Sequence, residues 1–161
     1  MGKVSDLFEL KISPHFGKGG TAMAIDWANP ASKISKYFKV KEALWLPQWN
    51  KLHVPTEDEK KNIIAMAEKM DLVRDFIQFP ITINCWMRPT EYNKLIGGAP
   101  HSMHIVGSAV DWTAGKDCDN IRRLILPMLP VWKLRLEDKP GSNWLHVDNK
   151  DVADMHRFFK P

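Results

Sequence analysis

Residues 131–148 read VWKLRLEDKPGSNWLHVD. Lys139-Pro140-Gly141-Ser142 supply turn residues between two segments of alternating apolar character, which is the pattern of a β-hairpin. Successive side chains of a strand point to opposite faces. In the first arm Trp132, Leu134 and Leu136 therefore mark the core face, and Lys133, Arg135 and Glu137 point the other way. In the returning arm, Trp144 to Asp148, Leu145 and Val147 take the core face and leave His146 and Asp148 on the opposite one, beside Trp144. The hairpin thus presents ionisable groups on a single non-core face.

Working outward, Ala109 to Thr113 is expected as a further strand, with Val110 and Trp112 inward and Asp111 opposite them. Ile81 to Trp86 is β-branched and apolar enough for a buried strand. Thr56-Glu57-Asp58-Glu59 is a capping-box signature, and Ile63, Ala67, Met70, Val73 and Ile77 recur at helical spacing. A helix over 57–77 follows, ended by Pro80. Pro89-Thr90-Glu91 opens a short helix that Gly97-Gly98 stops, and a loop runs from there to about His104. The pattern further predicts a helix over 119–126 halted by Pro127, a strand over 131–137, and a terminal helix from Asp151 using Val152, Met155 and Phe159. Residues 1–33 are rich in Gly, Pro, Ser and Asn and read as an extended N-terminal arm, leaving 34–161 as a single domain. Helices precede hairpin-connected strands, so the expected class is α+β.

A chain of 161 residues, 44% hydrophobic and 26% charged, falls among ordinary globular proteins. Its apolar runs fall short of the roughly 20 residues a membrane span requires. Charges at Lys3, Asp6, Glu9 and Lys11 interrupt any apolar leader, so neither a signal peptide nor a membrane span is expected and synthesis should end in a cytoplasm. The net charge of +4 is spread along the chain, which argues against a nucleic-acid partner. One local concentration, Lys33, Lys36, Lys39, Lys41 and Lys51 interleaved with Tyr37, Phe38, Trp45 and Trp49, reads either as a solvated rim over core aromatics or as a wall for an anionic polymer. Cys85 and Cys118 are expected as reduced structural residues, Cys85 within its strand.

Strand parity offers His146, Asp111 and Glu137 on non-core faces, and His104 lies seven residues before Asp111, where Gly107 lets the chain bend back. Two histidines and one carboxylate suit a zinc ion that keeps a position open for water, and a second carboxylate that does not bind the ion can move the proton. His-x6-Asp is not itself specific. Three separate surface residues and a core histidine would give the same spacing.

Residues 84–113, NCWMRPTEYNKLIGGAPHSMHIVGSAVDWT, resemble the signature of peptidase family M15, the zinc D-Ala-D-Ala carboxypeptidases and phage L-Ala-D-Glu endolysins. The matching positions are Arg88, Pro89, Asn93, Gly97, Gly98, Ser102, His104, Gly107, Ala109 and Asp111, followed by the Trp-x-His motif Trp144-Leu145-His146. The resemblance implies a hedgehog/DD-peptidase-like zinc domain, a small antiparallel sheet flanked by helices, with one Zn2+ per chain on His104, Asp111 and His146. Arg88 would hold the substrate or polarise its scissile carbonyl, with Ser102 and Trp144 also lining the substrate site. Many members place Glu or Asp three residues before the last histidine, where this chain has Asn143. Phage-type members carry the catalytic carboxylate at the end of the preceding strand, a position filled here by Glu137, with Asp138 as the rival if a bulge interrupts the strand. His101 could approach the metal but reads as a loop residue, and Asp148 as a partner of a ligand or a turn cap.

What the resemblance implies is a monomeric metallopeptidase, a hydrolase cutting peptidoglycan stem peptides through zinc-activated water. Lacking a leader, such an enzyme would reach the cell wall by lysis or carriage in a particle, as a phage or prophage product does. The alternative is a non-catalytic zinc-binding virion module or cell-wall-binding module.

Overall fold

A computed structural model describes residues 24–115 and 117–160. The greater part of the predicted N-terminal arm, residues 1–23, lies outside the described residues. Five α-helices occur among them: α1 (Val40–Leu44), α2 (Glu57–Ile77), α3 (Thr90–Leu95), α4 (Cys118–Ile125) and α5 (Leu129–Trp132). The strands are β1 (Trp45–Leu46), β2 (Lys51–Leu52), β3 (Thr82–Cys85), β4 (Ala109–Thr113), β5 (Arg135–Glu137), β6 (Leu145–Asp148) and β7 (Phe158–Phe159). β1 and β2 form a small ribbon, and the other five make one sheet in the order β3-β4-β6-β5-β7, antiparallel except for the last pair. The class is α+β, as expected. No helix of the described residues is long and apolar enough to cross a membrane.

The long helix α2 starts where the capping box puts it. Thr56 Oγ1 accepts from the Glu59 amide (3.3 Å) and Glu59 Oε2 accepts from the Thr56 amide (2.8 Å), an arrangement worth about 1 kcal/mol. Ile63, Met66, Ala67, Met70, Val73 and Ile77 form its buried face. They join Val110, Trp112, Leu134, Leu136, Leu145 and Val147 from the sheet in one core, which leaves the opposite sheet face free for chemistry.

Three expectations are corrected. The strand predicted over 131–137 begins only at Arg135, because residues 129–132 continue from α4 as the short helix α5 and Lys133 turns the chain at φ 51°. Its inward set is still Trp132, Leu134 and Leu136, all buried. The segment 81–86 is an edge strand rather than a buried one: Thr82 and Asn84 are more open to solvent than the buried Ile81 and Trp86. The terminal helix does not form. A short 3-10 turn, Asp154–His156, leads into β7, whose backbone closes the open edge of β5 through Leu136 N–H to Arg157 O (2.7 Å) and Asp138 N–H to Phe159 O (2.6 Å). Met155, expected on a packed helix face, is 84% exposed.

Candidate active site

The site rests on strand register. β4 and β6 pair Asp111 with His146 and Ala109 with Asp148, so the parity that turns Val110, Trp112, Leu145 and Val147 inward turns Asp111, His146 and Asp148 to the other face. On the far side of β6, β5 pairs Arg135 with Asp148. A bulge at Asn84 in β3 brings Cys85 opposite Asp111 on the remaining side.

His104 arrives from a 3-10 turn, Met103–Val106, between α3 and β4. Ser102 Oγ caps that turn by accepting from the His104 amide (3.3 Å), and Gly107 ends it at φ +77°. A Cβ at Gly107 would stand 2.8 Å from Ile63 Cγ1, so only glycine lets the turn lie against α2. Upstream, Asn93 Nδ2 donates to Ala99 O (3.0 Å), which ties down the loop after α3. A Cβ at Gly98 would run into the Asn93 carboxamide. Asn93, Gly98 and Gly107 therefore shape the backbone that delivers Ser102 and His104.

The donor atoms converge. His104 Nε2 lies 3.3 Å from His146 Nδ1 and 3.2 Å from Asp111 Oδ1, and His146 Nδ1 lies 2.7 Å from Asp111 Oδ1. Donors about 2.0–2.1 Å from a tetrahedral zinc stand roughly 3.3–3.4 Å apart, so two of the three separations already match a zinc site. The third is a hydrogen bond whose proton a cation would replace. His104 Nδ1 is 2.6 Å from the Trp86 carbonyl oxygen, so Nδ1–H donates there and the Nε2 lone pair faces the other donors. Burial holds the fully enclosed His104 below its usual pKa, keeping it neutral. Burial also opposes charge on His146, but hydrogen bonds to Asp111 and Asp148 overcome it and raise that pKa to about 9. Asp111 stays well below the usual carboxylate range, because its bonds to both histidines outweigh its burial. In the metal-free protein a proton on His146 thus stands where a cation would sit.

Around this cluster is a cleft of about 460 Å³ that also takes in Arg88, Ser102, Glu137, Trp144 and Phe159. Arg88 Nη2 lies 3.3 Å from Asp111 Oδ2, leaving Oδ1 to the histidines. Arg88 Nε and Glu137 Oε2 are buried without a hydrogen-bond partner, two opposite charges with unused capacity in one cleft. Asp138 instead lines a separate hollow with Arg122 and Pro140. Asn143 is exposed and lines neither, and His101 sits exposed at the rim of the cleft.

Over residues 36–148 the chain matches the peptidase M15 family. The chain belongs to that family. No curated protein matches it significantly. As an M15 member it is a peptidase, a hydrolase of the metallopeptidase type, from a family that depends on zinc.

Three residues of the site either go unannounced in the sequence or sit elsewhere than its pattern predicts. Cys85, expected as a buried strand residue, has its sulfur within 4.8 Å of the donor atoms of His104 and Asp111, and burial pushes its thiol up to about 11. Only the bulge at Asn84 puts it there, and no sequence pattern announces a bulge. Phe159, assigned to a helix, stands edge-on to His146 at 6.2 Å with the Arg135 guanidinium 4.3 Å above its ring. Trp86, which ends the segment read as a buried strand, is 1% exposed, yet it takes part in the site through its carbonyl oxygen rather than its ring.

Proposed function

We propose that this M15 peptidase binds one zinc per chain on His104 Nε2, Asp111 Oδ1 and His146 Nδ1 and hydrolyses peptide bonds in peptidoglycan stem peptides. The observation that carries the reading is the convergence of those three atoms, two of their three separations at tetrahedral zinc spacing, in a cleft that also holds an unpartnered carboxylate oxygen. A zinc ion held there supplies the Lewis acidity that makes water nucleophilic at neutral pH and polarises a carbonyl.

The protein's own groups do the rest. Glu137, on the cleft side of β5, accepts the proton of the attacking water and returns it to the leaving amine. Arg88 steadies the carbonyl oxygen as negative charge develops on it, its guanidinium fixed in place by Asp111 Oδ2. Trp144 and Ser102 border the path of the peptide, the indole giving an apolar wall and the hydroxyl a polar contact. Arg135 and Asp148 hold the ring of His146 from behind. Asn143 being exposed outside the cleft, its neutral amide leaves the acid-base work of Glu137 untouched. A lytic enzyme carried by a phage or prophage is the biology most economical with this chemistry.

Purified peptidoglycan incubated with zinc-loaded protein, with products identified by mass, tests the proposal and names the bond cut. New termini that disappear on chelation and return with zinc are expected. A protein inert on every wall type and stem peptide would favour the non-catalytic wall-binding or virion module.

A further inference from the structure

Cys85 is a donor-bearing side chain close to His104 and Asp111 to which the zinc mechanism gives no role. Three features of its placement point the same way. The bulge at Asn84 changes the register so that Cys85, rather than its neighbour, faces Asp111 across β3 and β4. Its sulfur lies within 4.8 Å of the donor atoms of both His104 and Asp111. It borders the groove over Trp86 and Tyr92 and not the cleft of Glu137, so it approaches the cluster from the side opposite the substrate. A zinc–sulfur bond of about 2.3 Å beside zinc–nitrogen bonds of about 2.0–2.1 Å sets a sulfur–nitrogen separation near 3.6 Å, inside the 4.8 Å within which the sulfur and the two donor atoms lie.

We propose that Cys85 is a fourth protein donor to the metal, its thiolate binding from the β3 side while the Glu137 side stays open to water and substrate. This rests on the zinc reading above and adds a soft ligand to it. On binding, the thiol gives up its proton to solvent and forms one metal–sulfur bond, and no oxidant or reductant takes part. The result is a set of two histidines, one aspartate and one cysteine that favours thiophilic ions such as zinc, cobalt and cadmium over magnesium or manganese. Five-coordination, which catalytic zinc sites reach in the transition state, leaves room for water beside four protein donors.

Cobalt separates this proposal from the one beneath it. The full chain, stripped of metal and loaded with one equivalent of Co2+, is expected to show visible d–d bands together with a near-ultraviolet thiolate-to-cobalt charge-transfer band. Cys85→Ser should keep the d–d bands and lose the charge-transfer band, and Cys118→Ser should keep both. Cobalt bound with d–d bands but no charge-transfer band in the unmutated protein would overturn the role of Cys85 while the zinc reading stands. Failure to bind cobalt would overturn both. A second measurement needs no variant: zinc loading should slow alkylation of Cys85 by iodoacetamide, followed by peptide mass. Equal rates with and without zinc would contradict the proposal.

Discussion

Arg135 grips Asp148 through two parallel bonds of 2.7 Å each, and the Asp148 carboxylate so held lies 3.5 Å from His146 Nε2. Asp148 is almost wholly enclosed. Burial alone would raise its pKa, yet hydrogen bonds from His146 and Arg135 hold it at about 2. The carboxylate therefore fixes the ring that presents Nδ1 to Asp111 and His104. Asp148→Asn should weaken zinc binding by roughly 10–100-fold, the usual effect of losing a ligand's partner, and should cost about 3 kcal/mol by stranding the Arg135 charge. Competition with a chromophoric chelator measures the first effect and denaturant unfolding the second. Unchanged zinc affinity would show that His146 needs no such support.

The histidines give the metal-free protein a signed pH dependence. His146 is raised from 6.5 to about 9, so the stability it adds is complete below its unfolded pKa and is lost as pH climbs through the folded one. His104, lowered by burial, works oppositely and costs stability as pH falls below its unfolded value of 6.5. The Tm of metal-free protein should therefore fall between pH 6.5 and 9, whereas zinc, having displaced the His146 proton, should flatten that slope. Zinc affinity should rise across the same window as proton competition fades. Differential scanning fluorimetry with and without zinc checks both slopes, and identical slopes would remove His146 from the ligand set.

The acid-base role is tested by neighbouring carboxylates. Glu137 faces the cleft and Asp138 a different hollow. Glu137→Gln should lower turnover by about 10²–10⁴-fold at full zinc occupancy, and Asp138→Asn should cost far less. Steady-state rates on a stem peptide at equal zinc content are the measurement. A large loss in Asp138→Asn with Glu137→Gln still active would transfer the role.

Gly107 tests the scaffold rather than the chemistry. Its φ of +77° and the 2.8 Å that would separate an added Cβ from Ile63 Cγ1 leave alanine no relaxed position. Gly107→Ala should destabilise the fold by about 1–3 kcal/mol, read from urea unfolding. An unchanged midpoint would mean that the turn can move away from α2.

Strand parity, a property of local chain geometry, makes the site's face legible in the sequence: Asp111, His146 and Asp148 fall opposite Val110, Leu145 and Val147 as alternation requires. The limits of α2 are equally legible, because Thr56, Glu59 and a buried stripe all act within one helix. Long-range pairing is not. Nothing local tells Phe158 and Phe159 to close the edge of β5 rather than continue a helix. The same holds for the bulge that carries Cys85 to Asp111 and for the carbonyl of Trp86 that orients His104.

Under the proposed mechanism, catalysis belongs to one zinc on His104, Asp111 and His146. Stripped protein titrated with zinc, with bound metal and peptidoglycan hydrolysis measured on the same samples, tests this most directly. Activity should rise linearly to one equivalent per chain and then level off, with His146→Ala neither binding the metal nor turning over. Hydrolysis by metal-free protein, or full zinc occupancy in His146→Ala, would contradict it.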